Sequence, residues 1–353
     1  SSDEYKVMAL ASYGTPRHFP EMRHLIRSAE GRITVDPLDL SRFAKRRAPG
    51  EPVAPEHADL AAAVQARTEE VLLDLARWLH ARTRLPRLAM AGGVALNCVA
   101  NTRIAAEGPF EQVWVQPAAG DAGTALGGAL HLAAASGERI APMPGADLGR
   151  GWSEERIREV LDRARLPYER PDELPAAVAD ALADDALVAW FQGRSEFGPR
   201  ALCRRSLLAD PSRRANLDRL NDVKGREEFR PVAPVVTEDR APEVFSRGPL
   251  PSPYMLFVHD VADHWRERIP AVVHADGTAR VQTAHPGRDP DTVRLLEAFE
   301  ARTGLPVLVN TSLNTAGRPM ADSPHDALEI FGSAPVDVLA IGPYLVRRPE
   351  ART

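Results

Sequence analysis

The sequence predicts an α/β fold in two domains. Three observations lead there. Two consecutive strand, glycine-turn, helix units lie between residues 88 and 135. A Gly- and Pro-rich stretch, GERIAPMPGADLGR, follows at 137–150 and reads as a linker. Beyond it, short apolar runs again alternate with amphipathic ones. A chain of 353 residues is long enough for two domains with cores of their own.

The first residues, KVMALASYG from Lys6, form an apolar stretch ending in a turn, and residues 15–55 read as surface connections. The first clear helix covers 58–82, with Val64, Val71, Leu72, Leu75, Trp78 and Leu79 at helical spacing. A short strand begins at Leu88 and a helix runs from Val94 to Ala106. A second strand begins at Gln112, and an Ala-rich helix spans 122–135. In the second domain, strands are predicted at ALVAWFQ, PVAPVVT, YMLFVHD, RVQTA, LPVLVN and DVLAIG. Helices are predicted at 153–165, 174–184, 213–223, 290–303 and 324–332, the first capped by Ser153 with Glu154 and Glu155 in its opening turn.

Composition narrows the function. The net charge of −5 offers no global basic field to recruit nucleic acid. Cys98 and Cys203 stand far apart with no CxxC pair, which reads as two reduced, buried thiols. No apolar run approaches the ~20 residues that span a bilayer, and a cytoplasmic setting is expected. Lysine occurs only at positions 6, 45 and 224, so each one draws notice.

Several strings carry chemistry. In LAMAGGVALN, Gly92 and Gly93 join a strand to a helix, where glycine permits close approach of a ligand and the helix start offers free N–H groups. Asn97, one turn in, could reach a ribose or a base; tight helix–strand packing is the plainer reading of the glycine pair. QPAAGDAGTALGGAL sets Asp121 among Gly120, Gly123, Gly127 and Gly128, as a metal or phosphate-proximal ligand or as a simple cap. WFQGRSEFGPRALCRRSLLADP gathers Arg194, Arg200, Arg204 and Arg205 around the turn at Gly198 and Pro199, a set suited to a phosphoryl dianion; surface arginines are the alternative. KGREEFRPVAP places Lys224, Arg226 and Arg230 around two glutamates, where a solvated helix end is the alternative. HADGTARVQT brings His274, Asp276, Arg280 and Gln282 through a turn into a strand. LVNTSLN ends a buried strand in Asn310, Thr311, Ser312 and Asn314, placed to meet a ligand. No Ser–His–Asp arrangement is recognisable.

Seven of these strings, in one order from KVMALASYG to NTSLN, resemble a single family: the O-carbamoyltransferases that modify antibiotics and nodulation factors. The resemblance implies that residues 1–143 are the later part of an ASKHA-type (actin-like ATPase, ribonuclease-H-like) carbamoyl-transfer domain. Residues 144–353 would be a carbamoyl-adenylate-forming domain resembling threonylcarbamoyl-adenylate synthase. It implies cleavage of carbamoyl phosphate, attack of carbamate on the α-phosphate of ATP, and passage of the carbamoyl group to a hydroxyl of a natural product. ATP, Mg2+ and Fe2+ or a similar metal are the implied cofactors. Arg200 and Arg230 match the family's carbamoyl-phosphate and ATP site, and Lys224, Arg280, Ser312 and Asn314 fall on its other positions. Gly92, Gly93 and Val94 match a nucleotide turn, with Asn97 and Gly120 beside it, and Asp121 matches a metal ligand.

Three departures stand out. Cys203 replaces a usual glycine, and Ser12 a frequent proline. Family members carry a further lobe before KVMALASYG, with two histidines one helical turn apart, and no HxxxH occurs in this sequence. The expectation is a chain that makes carbamoyl-adenylate and needs a second chain, or a lost lobe, for full transfer. A homodimer and a non-catalytic role within a split enzyme stay open. The acidic charge and the arginine strings count against tRNA threonylcarbamoylation.

Overall fold

The structure is a computed structural model that describes residues 4–48 and 50–348. The first lobe contains α1 (Glu4–Ala11), α2 (Phe19–Leu25), the antiparallel hairpin β1 (Ile26–Ala29) and β2 (Arg32–Val35), and α3 (Pro55–Thr83). β3 (Arg87–Met90), α4 (Cys98–Glu107), β4 (Gln112–Val115) and α5 (Gly123–Ala135) complete it. β3 and β4 pair in parallel.

The spine is α3, which packs on α1, α2, β1 and α4. Its buried face is made of small side chains, Ala58, Ala61, Ala62, Ala63 and Ala76, together with Val71 and Leu73. That lets neighbouring helices approach closely. Trp78, expected in the core, instead lies under the hairpin turn, where Gly31 (φ +77) sits on its indole so closely that a Cβ would overlap the ring. Residues 15–55 are therefore more than connections. Their polar alternation hides a helix and a hairpin held by Arg67, whose Nε donates to the Ile26 carbonyl at 2.8 Å while its guanidinium pairs with Glu70.

The second lobe contains α6 (Glu154–Ala164), α7 (Leu174–Ala183), β5 (Val188–Phe191), β6 (Arg205–Ala209), α8 (Ala215–Val223) and β7 (Ala233–Thr237). Next come α9 (Ala241–Val244), β8 (Phe245–Ser246), β9 (His259–Val261), α10 (Asp263–Arg266), β10 (Thr278–Ala279) and β11 (Gln282–Ala284). The last elements are α11 (Pro290–Thr303), β12 (Val307–Ser312), α12 (Pro324–Ser333), β13 (Val338–Ile341) and β14 (Tyr344–Arg347). Seven strands form one mixed sheet in the order β11-β7-β12-β6-β5-β13-β14. β5, β6, β7 and β13 are buried along their whole length, which is why β5, β7 and β13 read as largely apolar runs rather than alternating ones.

Ser153 caps α6 as predicted, and Ser323 with Asp326 forms a capping box on α12.

Two strand predictions need correction. YMLFVHD contributes only His259–Val261 to a strand. Upstream, Met255 takes φ +55 and the segment leaves the sheet to pack on α4, where Asn101 Nδ2 donates to Leu256 O and the Val258 N–H donates to Thr102 Oγ1. RVQTA contributes only Gln282–Ala284 to a strand, β11, and β10 lies just before it at Thr278–Ala279. β6 was not predicted, because its leading arginine reads as surface. Arg205 is in fact fully buried, its guanidinium 3.7 Å from the Phe191 ring centroid and bonded to the carbonyls of Gln192 and Gly193.

Candidate functional site: a cationic cavity between the lobes

A cavity of about 360 Å3 opens where the two lobes meet. The second lobe supplies Arg200, Arg226, Arg230, His274, Asp276, Arg280, Asn310, Thr311 and Ser312. The facing wall comes from α1, α3 and α4, through Tyr5, Met8, Ser12, Gln65, Glu69 and Cys98. Sequence reasoning had confined this chemistry to residues 144–353. The structure shows the first lobe forming half the enclosure.

Each cation reaches the cavity for a local reason. Arg200 rides on the turn after Glu196. There Gly198 (φ +128) approaches the Pro117 carbonyl so closely that a Cβ would come within 2.8 Å. The base of the turn is clamped by Glu196, whose Oε1 accepts N–H bonds from Leu202 (2.6 Å), Arg204 (2.9 Å) and Arg205 (3.2 Å). Burial pushes the Glu196 carboxyl up, against the pull of those N–H groups. Its other oxygen is shielded and unpartnered, and the residue borders a second cavity of about 230 Å3. Cys203, the family's usual glycine, holds φ +63, a left-handed conformation in which glycine is unstrained. Its buried thiol is pushed up by desolvation.

Arg226 and Arg230 leave the turn after α8. Arg226 Nε donates to Asn221 Oδ1 at 2.6 Å, and Arg230 lies 4.5 Å from the Tyr5 ring centroid and 3.5 Å from Glu227. Arg280 follows β10. Among the described residues no carboxylate pairs with Arg200, Arg226 or Arg280, and the Nε atoms of Arg200 and Arg280 are shielded without a partner. The result is electrostatic strain. Burial, then repulsion from Arg280, lowers Arg200 to about 9, and burial, then Arg230 and Arg280, lowers Arg226 to about 9. Arg280 is lowered by burial and by Arg230. Buried cations without counter-ions are costly, and an anion in this cavity would relieve the cost.

Lys224 stands just behind. Its Nζ donates to Ser312 O (2.6 Å), Ser312 Oγ (2.8 Å) and Asn314 Oδ1 (2.5 Å), which uses all three ammonium donors. Ser312 Oγ in turn donates to Asn314 Oδ1 at 2.7 Å. Burial, then Arg226 and Arg230, lowers the lysine well below its ordinary value. Lys224 therefore orients Ser312 and Asn314 rather than reaching into the cavity with a free donor. Of the six residues expected to act on the donor, Arg200, Arg230, Arg280 and Ser312 thus line the cavity, and Lys224 and Asn314 stand behind Ser312.

The residues expected at the nucleotide turn and metal lie elsewhere. Gly92 and Gly93 have open space around them, Val94 is exposed, and the Gly92 N–H is bonded to Ala119 O at 2.7 Å. Asn97 works as the cap of α4, accepting from the Ala100 N–H while exchanging bonds with Gln65. Both ends of its amide are used within the chain. Asp121 is exposed beside Gly120, and among the described residues no three His, Cys, Asp or Glu side chains converge to hold a metal.

Arg226, His274 and Asp276, which the sequence singles out within their motifs without a site role, also line the cavity. Of the first-lobe residues, Met8 and Ser12 belong to the KVMALASYG string, whereas Gln65 and Glu69 sit in an ordinary helical pattern that gives no site signal.

Two family models match the chain: the carbamoyltransferase N-terminus over residues 1–130 and the carbamoyltransferase C-terminus over residues 179–348. The chain belongs to the carbamoyltransferase family. Nodulation protein NolO of Bradyrhizobium diazoefficiens is 39% identical across 99% of this chain and 66% of its own length. Nodulation protein NolNO of Sinorhizobium fredii is 40% identical across 99% of this chain and 53% of its own. Nodulation protein U of Bradyrhizobium diazoefficiens is 40% identical over 74% of this chain and 45% of its own. The carbamoyltransferase chain thus spans between about half and two thirds of the length of the relatives that match it throughout. Among solved structures, P. abyssi Sua5 complexed with L-threonine is 20% identical, with a TM-score of 0.37, over 49% of this chain and 48% of that one. No helix among the described residues is long and apolar enough to cross a membrane.

Proposed function

We propose that the cavity binds carbamoyl phosphate and ATP and forms carbamoyl-adenylate, from which the carbamoyl group passes to a hydroxyl of a small natural product. The observation that carries this reading is the cluster of Arg200, Arg226, Arg230 and Arg280, half-buried together around the cavity, in which among the described residues only Arg230 has a carboxylate partner, Glu227. Four guanidiniums suit phosphoryl oxygens, and their mutual repulsion makes an anionic ligand the natural counter-ion. Water cleaves carbamoyl phosphate to carbamate and inorganic phosphate, a carbamate oxygen then attacks the α-phosphorus of ATP as pyrophosphate leaves, and fixed cations stabilise charge building on the equatorial and leaving oxygens. Ser312 and Asn314, held by Lys224, would orient the carbamoyl end.

The finer fold reading belongs to the same proposal: an actin-like lobe joined to a threonylcarbamoyl-adenylate-synthase-like domain. A transition metal in the first lobe does not fit the described residues, since Asp121 stands alone, and no step is routed through one. Mg2+ would arrive with the ATP phosphates. α5 buries none of its residues and leaves Leu130 and Leu132 exposed beside a two-stranded parallel sheet, an arrangement rarely stable uncovered. That supports a further polypeptide segment on this face, needed for transfer to the acceptor. The test of the donor half is carbamoyl-phosphate-dependent exchange of labelled pyrophosphate into ATP. Exchange is expected from this chain, and its absence in folded protein refutes the reading.

A further inference from the structure

His274 has a feature that anion binding does not explain. Its Nδ1 lies 3.0 Å from Thr278 Oγ1, and Thr278 Oγ1 lies 2.7 Å from Asp276 Oδ1, which also accepts the Thr278 N–H at 3.0 Å. An ionised carboxylate only accepts, so the single hydroxyl proton of Thr278 must go to Asp276. The hydroxyl is then an acceptor toward the ring, and His274 Nδ1 must carry a proton. Burial lowers the imidazole to about 4, so at neutral pH that is its only proton. Nε2 is left as a bare lone pair. It is shielded from solvent, has no partner, and belongs to a residue lining the cavity beside the unpartnered Arg280.

A cavity wall built of arginines is rich in donors, and an anion gives it acceptors. A shielded acceptor among them asks for the opposite: a ligand that also carries an N–H or O–H. A carbamoyl group is the small acyl group that does so, since its carbon bears an amino group where an acetyl bears a methyl. We infer that His274 is a specificity-determining residue whose Nε2 accepts a hydrogen bond from the amino group of the carbamoyl donor. The assignment rests on the reading of the cavity as the carbamoyl-phosphate site, and it names the group that separates this donor from other acyl phosphates. Acetyl phosphate presents the same anion and nearly the same shape, but it buries the Nε2 lone pair against a methyl group. Leaving a buried acceptor unpaired corresponds to about a 10- to 100-fold loss of affinity. Asp276 and Thr278 act through the ring, fixing the tautomer, and are positioning residues.

Isothermal titration of the chain with inorganic phosphate, freshly dissolved carbamoyl phosphate and acetyl phosphate tests the assignment. The wild type should bind carbamoyl phosphate about 10-fold or more tighter than acetyl phosphate. His274→Ala should bind inorganic phosphate as the wild type does and lose the difference between the two acyl phosphates. His274→Gln, whose amide oxygen can replace the acceptor, should keep part of it, which also guards against a variant that merely misfolds. If phosphate binds but the wild type does not discriminate, or His274→Ala discriminates as well as the wild type, the assignment is overturned alone. If the wild type binds no phosphate at all, the donor-site reading fails and takes this assignment with it.

Discussion

Replacing Arg200 by methionine should stabilise the ligand-free protein while weakening its hold on phosphate. The Arg200 guanidinium has little to lose: one long bond of 3.5 Å to Leu96 O, and an Nε with no partner. Against that, burial and then the neighbouring arginines lower it from the ordinary guanidinium range to about 9. A depression of that size corresponds to about 5 kcal/mol against the charged form. Relaxation and water penetration leave roughly a third to a half of that, on the order of 2 kcal/mol. The sign is fixed by the folded value lying below the unfolded one. At pH 7 both states are protonated and the whole cost is present, and it fades only as pH climbs from about 9 toward the ordinary guanidinium value. Methionine fills a similar path without charge, so the melting temperature at pH 7 should rise by roughly 4–8 °C. Phosphate affinity should fall about 10- to 100-fold, the value of one charge-assisted bond. At phosphate near 100 times the wild-type Kd, ligand stabilises the wild type by about 2.7 kcal/mol, and the two melting temperatures should converge. Thermal melts with and without phosphate read both effects. A lower melting temperature for ligand-free Arg200→Met, or unchanged phosphate affinity, refutes the argument.

Glu196→Ala strips the acceptor from three N–H groups and should destabilise by about 2–4 kcal/mol with weaker phosphate binding, Glu196→Gln less so. Formate entering through the adjoining cavity should restore phosphate affinity in Glu196→Ala, measured by titration, and no rescue would count against the clamp. An anion in the cavity offsets the repulsion that lowers Lys224, so binding of sulfate in alkaline buffer should take up protons and weaken as pH rises. Calorimetry in two buffers of different ionisation enthalpy measures the uptake, and proton release would contradict it. Asn97→Ala should cost about 1 kcal/mol in urea denaturation through loss of the α4 cap and leave ATP affinity unchanged.

What the sequence made legible was chemistry concentrated in short strings. GPRAL, KGREEFRP, HADGTAR and NTSLN each sit at the end of a buried strand or helix, so their residues converge once the sheet order β11-β7-β12-β6-β5 is formed. The sheet order itself was not legible, because β12 lies between β7 and β6 through pairings distant in sequence. β6 was hidden by Arg205, whose charge is absorbed by carbonyls and the Phe191 ring, a compensation invisible to periodicity. YMLFVHD misled in the other direction. Its apolar residues are buried as a strand's would be, but against α4, through bonds from Asn101 and to Thr102.

That last segment changes how the two lobes relate. Leu256 and Phe257 share a core cluster with Ala95, Val115 and Ala119, so the second lobe contributes apolar side chains to the first. Asn101 and Thr102 bond to its backbone across more than 150 residues of sequence. At the other side of the seam, Gly198 presses on Pro117, and Lys6 pairs with Glu227 at 2.8 Å. These contacts bracket the cavity, with Arg200 on the Gly198 turn and Arg230 stacked on Tyr5. A donor site assigned to residues 144–353 alone would lose the wall formed by Met8, Gln65, Glu69 and Cys98 and open its arginines to water. Water screening would cost them much of the advantage that burial gives a charged hydrogen bond. The cationic cavity is therefore tied to the first lobe by its walls, and separating the two lobes should abolish phosphate binding even where the second lobe keeps its fold.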